Sequence, residues 1–376
     1  MKYIFIIFSF CFSCGDNSTI HLKTDSISYT KGKLLSLDYD YDSFGYPFPQ
    51  MSFVNEKTYI HSIRINNPSI LDKYYVKEDE LVLVDSLFIP NHCFGGVKNH
   101  IRDMEVVNDS LFIFQPSSFS RHGGNKFYHI TNNALDSFMF QKEINDKEVY
   151  LMSTKLNFMN LNSEFGVGEV KMETVSFDGN EVCKYPALAL FYWNKENEIV
   201  LFEEQHPDRC EKRMREPLYQ MYKRTVKGDS IITLYPFDQE FHIFNRKGEK
   251  KVKRFQFREF NEFQEDKSNK VKQFVESDSF ISFEYSKFNN KFYLVMFEAN
   301  NYIEPTEFIA LPKQKREFVV LIFDEKLNLE RQVTFDTKDL EIHIPKLIPS
   351  PKGFYLPVST SEQKYILQEF ILQEFD

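Results

Sequence analysis

Short runs rich in β-branched and aromatic residues recur along this chain. Several alternate apolar and polar positions, and each is bounded by Asn, Asp, Gly, Ser or Pro. Alternation with a period of two puts successive side chains on opposite faces of a strand, and the bounding residues are those that turn the backbone. Strands are therefore predicted at Leu81–Ile89, Ser110–Phe114, Ile199–Phe202, Ser230–Tyr235, Ser279–Tyr285, Lys291–Phe297, Phe318–Phe323 and Gly353–Val358. Helical periodicity is scarce. Cys210–Lys223 carries some, but Pro217 removes a backbone donor within it. Phe257–Phe274 carries some too, but its charge density and missing caps make it a long loop. The class is all-β.

A weak internal repeat sets a polar turn before an aromatic-rich strand. Its copies are Asn108-Asp109-Ser110, Gly228-Asp229-Ser230 and Ser277-Asp278-Ser279, with looser ones at Asn197-Glu198 and Lys352-Gly353. Asp and Ser suit such turns because their side chains bond nearby backbone N–H groups. Glu240–Phe257 and Phe318–Phe335 each read as a hairpin, turning at Asn245–Gly248 and Asp324–Asn328. Asp229 and Asp278 stand 49 positions apart. A period near 50 with about four strands per period is the signature of a β-propeller blade. The expectation is a single β-propeller over residues 29–376, of six blades with seven as the other count. Two β-sandwich domains are the competing architecture, disfavoured because no Pro/Gly/Ser-rich linker divides the chain.

The first residues follow a different pattern. In MKYIFIIFSFCFSCGD, Lys2 precedes an apolar run from Tyr3 to Phe12, then Ser13 and Cys14, and the chain turns polar at Gly15-Asp16. The run is about ten residues, against roughly 20 for a membrane span. Residues 1–13 are read as a signal peptide, Cys14 as the lipid-attachment residue, and 14–28 as a polar tether. Cleavage without lipid and an uncleaved anchor are the alternatives. A lipidated Cys14 places the protein in the cell envelope as an outer-membrane lipoprotein, facing the periplasm or the surface, with the membrane as its first partner.

Composition narrows the partners further. Across 376 residues, 42% are hydrophobic and 16% aromatic, including 40 Phe, so a large core is available and disorder is disfavoured. The formal charge is −9, and loss of Lys2 with the leader brings it to −10. Acidity and location both argue against nucleic acid as a partner. Of five Cys, Cys11 and Cys14 belong to the leader; Cys93, Cys183 and Cys210 remain. Cys183 and Cys210 could pair, and three buried thiols are the alternative.

The strand-bearing segments carry a family resemblance. Gly95-Gly96-Val97, Met104–Phe114, Gly228–Phe244, Glu284–Met296, Val320–Val333 and Gly353-Phe354-Tyr355-Leu356 together span most of the chain. In these stretches it resembles the domain-of-unknown-function family four-two-two-one, a group of Bacteroidota lipoproteins. At Phe292-Tyr293-Leu294 it departs from the family pattern, in which an aromatic pair precedes Arg. The resemblance implies a propeller-like fold and a lipid anchor, and no activity.

Catalytic signatures are missing: there is no GxSxG, HExxH, P-loop or EF-hand loop, no CxxC beyond the leader's Cys11-Phe12-Ser13-Cys14, and no cofactor motif. Gly166-Val167-Gly168 begins like a dinucleotide fingerprint, stops, and is read as a tight turn. His92, Cys93, His100, His122 and His129 are the densest histidine region, yet zinc needs three or four ligands converging in space, which these spacings do not compel. Two stretches are candidate ligand loops. One holds Arg121 and His122 beside two glycines; the other packs Glu203, Glu204, His206 and Asp208 together, where carboxylates with a His could do acid–base work. Asp38, Asp40 and Asp42 would share one face of a strand, as calcium ligands or as a charged edge. Two functions remain open: a non-enzymatic binding scaffold for a protein or glycan, and a metal-assisted hydrolase or lactonase in the propeller channel.

Overall fold

A computed structural model shows six β-sheets set as the blades of a ring. The structure describes residues 25–26, 28–37, 49–54, 57–64, 69–78, 80–89, the strands between 101 and 201, and residues 223–260, 272, 275–300, 317–335, 347–358 and 365–373. The strands between 101 and 201 are described by their backbone.

The N-terminal arm holds β1 (Asp25–Ser26) and β2 (Tyr29–Leu37). Blade one is β3 (Gln50–Val54), β4 (Lys57–Arg64), β5 (Ser69–Lys77) and β6 (Glu80–Ile89). Blade two is β7 (Ile101–Asn108), β8 (Leu111–Pro116), β9 (Lys126–Thr131) and β10 (Ala134–Met139). A hairpin of β11 (Lys142–Ile144) and β12 (Lys147–Leu151) then leads into blade three. Its strands are β13 (Asn157–Phe158), β14 (Phe165–Met172), β15 (Leu188–Tyr192) and β16 (Ile199–Leu201). Blade four is β17 (Lys223–Lys227), β18 (Ser230–Leu234), β19 (Glu240–Phe244) and β20 (Lys250–Arg254). Blade five is β21 (Ser279–Ser286), β22 (Lys291–Phe297), β23 (Phe318–Phe323) and β24 (Leu329–Thr334). Blade six takes β25 (Ile348–Ser350), β26 (Gly353–Val358) and β27 (Tyr365–Leu372) from the C-terminal part of the chain.

Blade six draws its fourth strand from the N-terminal arm. β2 pairs antiparallel with β27, from Tyr29 opposite Leu372 to Leu37 opposite Tyr365. The innermost strands touch in turn around the circle: β3 with β7, β7 with β13, β13 with β17, β17 with β21, β21 with β25, and β25 with β3. The propeller reading is thereby met, with six blades. The segment read as a tether reaches the domain early, since Asp25–Ser26 pair in parallel with Arg331 and Gln332 on the outer edge of blade five.

The core lies between blades, which explains the continuous apolar runs. On β22, Phe292, Leu294 and Met296 join the cluster toward blade four, while Tyr293 and Val295 join the cluster toward blade six. β23 divides in the same way: Val319, Leu321 and Phe323 on one side, Phe318, Val320 and Ile322 on the other. A strand buried on both faces has no polar side to alternate with. Stacked and edge-on rings fill the seams. Phe241 lies 5.3 Å from Phe283 and 5.1 Å from Phe323, and Phe335 lies 4.7 Å from Phe318 and 5.1 Å from Phe370.

Both hairpins predicted from sequence form at their expected turns, Asn245–Gly248 and Asp324–Asn328. Two expectations are corrected. Gly166 and Gly168 lie inside β14, opposite Phe191 and Ala189, where a strand on either edge continues the sheet, so no turn occurs there. The repeat period is the other. Asp229 sits between the first and second strands of blade four, whereas Asp278 precedes the first strand of blade five. The 49-residue interval therefore joins unlike positions; the turn equivalent to Gly228-Asp229 in blade five is Lys287–Asn290.

Candidate functional site

Three turns gather at one end of the seam between blades four and five: β17–β18 at Gly228-Asp229, β21–β22 at Lys287–Asn290, and β23–β24 at Asp324–Asn328. They rim a cavity of about 640 Å³, within the usual range for a small-molecule site. Its floor is apolar, built from Ile232, Ile243, Phe292 and Leu327; its rim carries Lys227, Ser230, Tyr285, Lys287, Asn290, Glu325 and Lys326.

Each turn is shaped by its own sequence. Gly228 takes a φ of 55°, open to glycine at no steric cost. In the β23–β24 turn, Asp324 Oδ1 accepts from the backbone N–H groups of Lys326 (2.8 Å) and Asn328 (2.7 Å). The equivalent turn of blade four repeats the device, with Asn245 Oδ1 accepting from Lys247 (2.9 Å) and Glu249 (3.0 Å). The fourth position of each has positive φ: Gly248 at 80° and Leu327 at 63°. A leucine in that conformation costs about 1–2 kcal/mol. Leu327 is buried in the seam between the two blades, and that packing offsets the strain.

Lys227 spans the cavity. Its ammonium donates to the carbonyl of Glu325 (2.8 Å), stands 3.8 Å from the Glu325 carboxylate, and lies over the rings of Tyr285 (5.7 Å) and Phe292 (5.8 Å). These are cation–π distances. The Tyr285 hydroxyl donates to Asn290 Oδ1 (2.8 Å). Burial, and then the Glu325 carboxylate, raise the Tyr285 pKa. Burial alone would raise the pKa of Asp324; the N–H groups of Asn328 and Lys326, the Asn328 amide and the charge of Lys253 outweigh it and hold the carboxyl below its ordinary value.

The cavity adjoins a basic strand. Between Arg246 and Arg254 stand six cations and one carboxylate. Ile243, on the cavity floor, pairs with Lys251 across β19–β20, so Lys251 shares that face. Lys253 reaches into blade five, donating to the Lys326 carbonyl and to Asn328 Oδ1, both at 2.6 Å.

Other polar clusters brace the blades. Asp72, fully buried in blade one, accepts from the guanidinium of Arg64 through both oxygens, from Ser86 Oγ (2.6 Å) and from Tyr74 (3.3 Å). Arg258 ties the segment after β20 to blade five through Asp278 (2.7 Å) and Glu298 (2.9 Å). Among the described residues, no group of three or more His, Cys, Asp or Glu is placed to hold a metal.

Cys14, Arg121, His122, Glu203, Glu204, His206 and Asp208 lie outside the described residues. So do His92, Cys93, His100, Cys183, Cys210, Asp38, Asp40 and Asp42. His129 lies on β9, opposite Ile113 and Asp136. The cavity residues come from three turns of two blades and from the strands that flank them. The signal that could have found them was the cationic run Arg246–Arg254 in an otherwise acidic chain.

This ring has a solved counterpart. A crystal structure of a member of the DUF4221 family from Bacteroides vulgatus superimposes with a TM-score of 0.69, covering 94% of this chain and 100% of that one at 10% identity. The fold is that of a DUF4221 protein. At that identity the DUF4221 likeness carries architecture alone, and it agrees with the family resemblance seen in the sequence. Weaker likenesses are to a luciferin-regenerating enzyme (TM-score 0.43, 6% identity, 93% of this chain and 98% of that one) and a streptogramin B lyase (0.38, 10%, 91% and 98%). No family profile and no curated protein matches the sequence.

Proposed function

We propose that this chain is an envelope lipoprotein, held by acyl chains on Cys14, whose propeller is a binding module and not a catalyst. The observation that carries the binding role is the cavity between blades four and five, with an apolar floor and a polar, lysine-bearing rim. Among the described residues, its polar groups are ammoniums, one carboxylate, a serine hydroxyl, an amide and a tyrosine hydroxyl, a set suited to orienting a ligand. The anchor rests on the leader, Ser13-Cys14-Gly15, and on the arm that leaves the domain at β1, eleven residues after Cys14.

The test uses the full-length lipoprotein extracted in detergent and immobilised against envelope extracts and a glycan array. Retention of a ligand that Ser230→Trp abolishes is expected, with the ligand recovered chemically unchanged. Recovery of a hydrolysed product, or stoichiometric metal in the purified protein, would replace this reading with the hydrolase. Acyl labelling that persists in Cys14→Ala would remove the anchor.

A further inference from the structure

We propose that the cavity between blades four and five takes a carboxylated sugar ring, and that the outer strand β20 carries the next acidic residues of the same saccharide. This rests on the binding role given above and names its ligand class.

The charge distribution is the first reason. The chain bears −9 overall, yet the stretch Arg246–Arg254 carries a surplus of five positive charges. Two of its cations are paired with acids outside the stretch, Arg246 with Asp229 (3.1 Å) and Arg254 with Glu240 (2.7 Å), which brings the local surplus to three; Glu249 is bonded to the Asn245 amide (2.6 Å) and Asp324 to its own turn. Among the described residues of the rim, Glu325 is the one carboxylate, against Lys227, Lys287 and Lys326. An anion is therefore favoured at the mouth and along the strand that leaves it.

Geometry supplies the second reason. The basic strand and the cavity are continuous, because Lys251 shares the face of Ile243 and Lys253 is bonded to the β23–β24 turn that forms the lip. A strand presents same-face residues about 6.8 Å apart, so Lys251 and Lys253 form a short row of charge leading to the cavity. Lys227 has three donors, of which the Glu325 carbonyl takes one and its carboxylate faces another.

The third reason is the chemistry inside. Tyr285 is half-buried and presents a ring at the cavity wall, against which the C–H face of a pyranose can lie. Ser230 and Asn290 offer a hydroxyl and an amide to sugar hydroxyls. Among the described residues, the rim cations are lysines and the planar fork of Arg that favours phosphate is missing.

The experiment is calorimetric titration of the detergent-solubilised lipoprotein with trigalacturonate, and with the same trisaccharide after reduction of its carboxyls to alcohols. Tighter binding of the acidic form by tenfold or more is expected, weakening as salt is raised. Lys251→Glu, at an exposed site, should lower that affinity about tenfold with an unchanged melting temperature. Lys253→Gln should lower it about two- to fivefold. Equal affinity for both trisaccharides would overturn the charge argument while leaving the binding role intact. Failure of both to bind, while Ser230→Trp still abolishes capture from envelope extract, would overturn the sugar class alone. Failure of both together with no capture from extract would remove the binding role as well. Binding of a single-stranded oligonucleotide as tight as trigalacturonate would make the surface a general polyanion site and overturn the proposal.

Discussion

Leu327 offers a sharp test of how the site was built. Its φ of 63° suits glycine, yet its side chain is buried among Ile232, Phe323 and their neighbours at the seam. Leu327→Ala keeps the backbone strain and loses the packing, so the full cost of a buried leucine, about 2–5 kcal/mol, is expected. Leu327→Gly loses the same packing but releases about 1–2 kcal/mol of strain, less about 0.5–1 kcal/mol for the added freedom of glycine in the unfolded chain. The glycine variant should then be more stable than the alanine variant, by up to about 1.5 kcal/mol, the reverse of the order found in strands and helices. Urea unfolding of the three proteins measures this. An alanine variant more stable than glycine, or both within about 1 kcal/mol of the parent, would refute the balance of strain against packing.

The seam between blades six and one gives a second test: Arg64→Met leaves the buried Asp72 carboxylate without its main partner and should cost about 3–5 kcal/mol in urea unfolding, whereas Arg64→Met with Asp72→Leu should recover most of that loss. Gly353→Ala would place a Cβ 2.1 Å from the Phe370 carbonyl oxygen, so β26 must shift from β27 and a loss of about 1–3 kcal/mol is expected by thermal melting. Asp324 has a lowered pKa, so its stabilisation of the β23–β24 turn is full above the ordinary carboxylate range and is lost as pH falls through the depressed value; Asp324→Asn should flatten the acid limb of a melting-temperature profile. Tyr293, pushed up to about 12 chiefly by burial, stabilises the fold below pH 10 and loses that contribution as pH rises toward 12; Tyr293→Phe should move the alkaline unfolding midpoint upward, and one phenol fewer should ionise late in ultraviolet titration.

Much of the fold was legible because propeller blades are local. Lys291–Phe297, Phe318–Phe323 and Gly353–Val358 appear as strands at the bounds read from sequence, and the Asx turns at Asn245 and Asp324 sit where their side chains can bond the backbone. The blade period was not legible. Asp-Ser serves equally before an inner strand and between two strands, so Asp229 and Asp278 looked alike while standing in unlike places. β1 and β2 were hidden for another reason: their partners lie in β24 and β27, and no local pattern reports a pairing across the whole chain. The cavity was equally hidden, because Lys227, Tyr285 and Glu325 meet only when two blades stack. Histidines and clustered carboxylates drew notice by residue type, whereas an ordinary lysine above two rings becomes distinctive only in three dimensions.

The fastening of blade six has a bearing on biogenesis. Ser28 and Gln373, bonded side chain to side chain, stand 345 positions apart. A clasp of that span cannot shut while the later strands are still being made, and such distant pairing is slow to form once they are. Were the chain exported as a thread, as the anchor proposed above requires, its two ends would stay apart until transit is over and the circle would be completed on the far side. Shortening the chain before β27 would leave β2 with an unclaimed edge, and the expected fate is aggregation of an open arc in place of a smaller wheel.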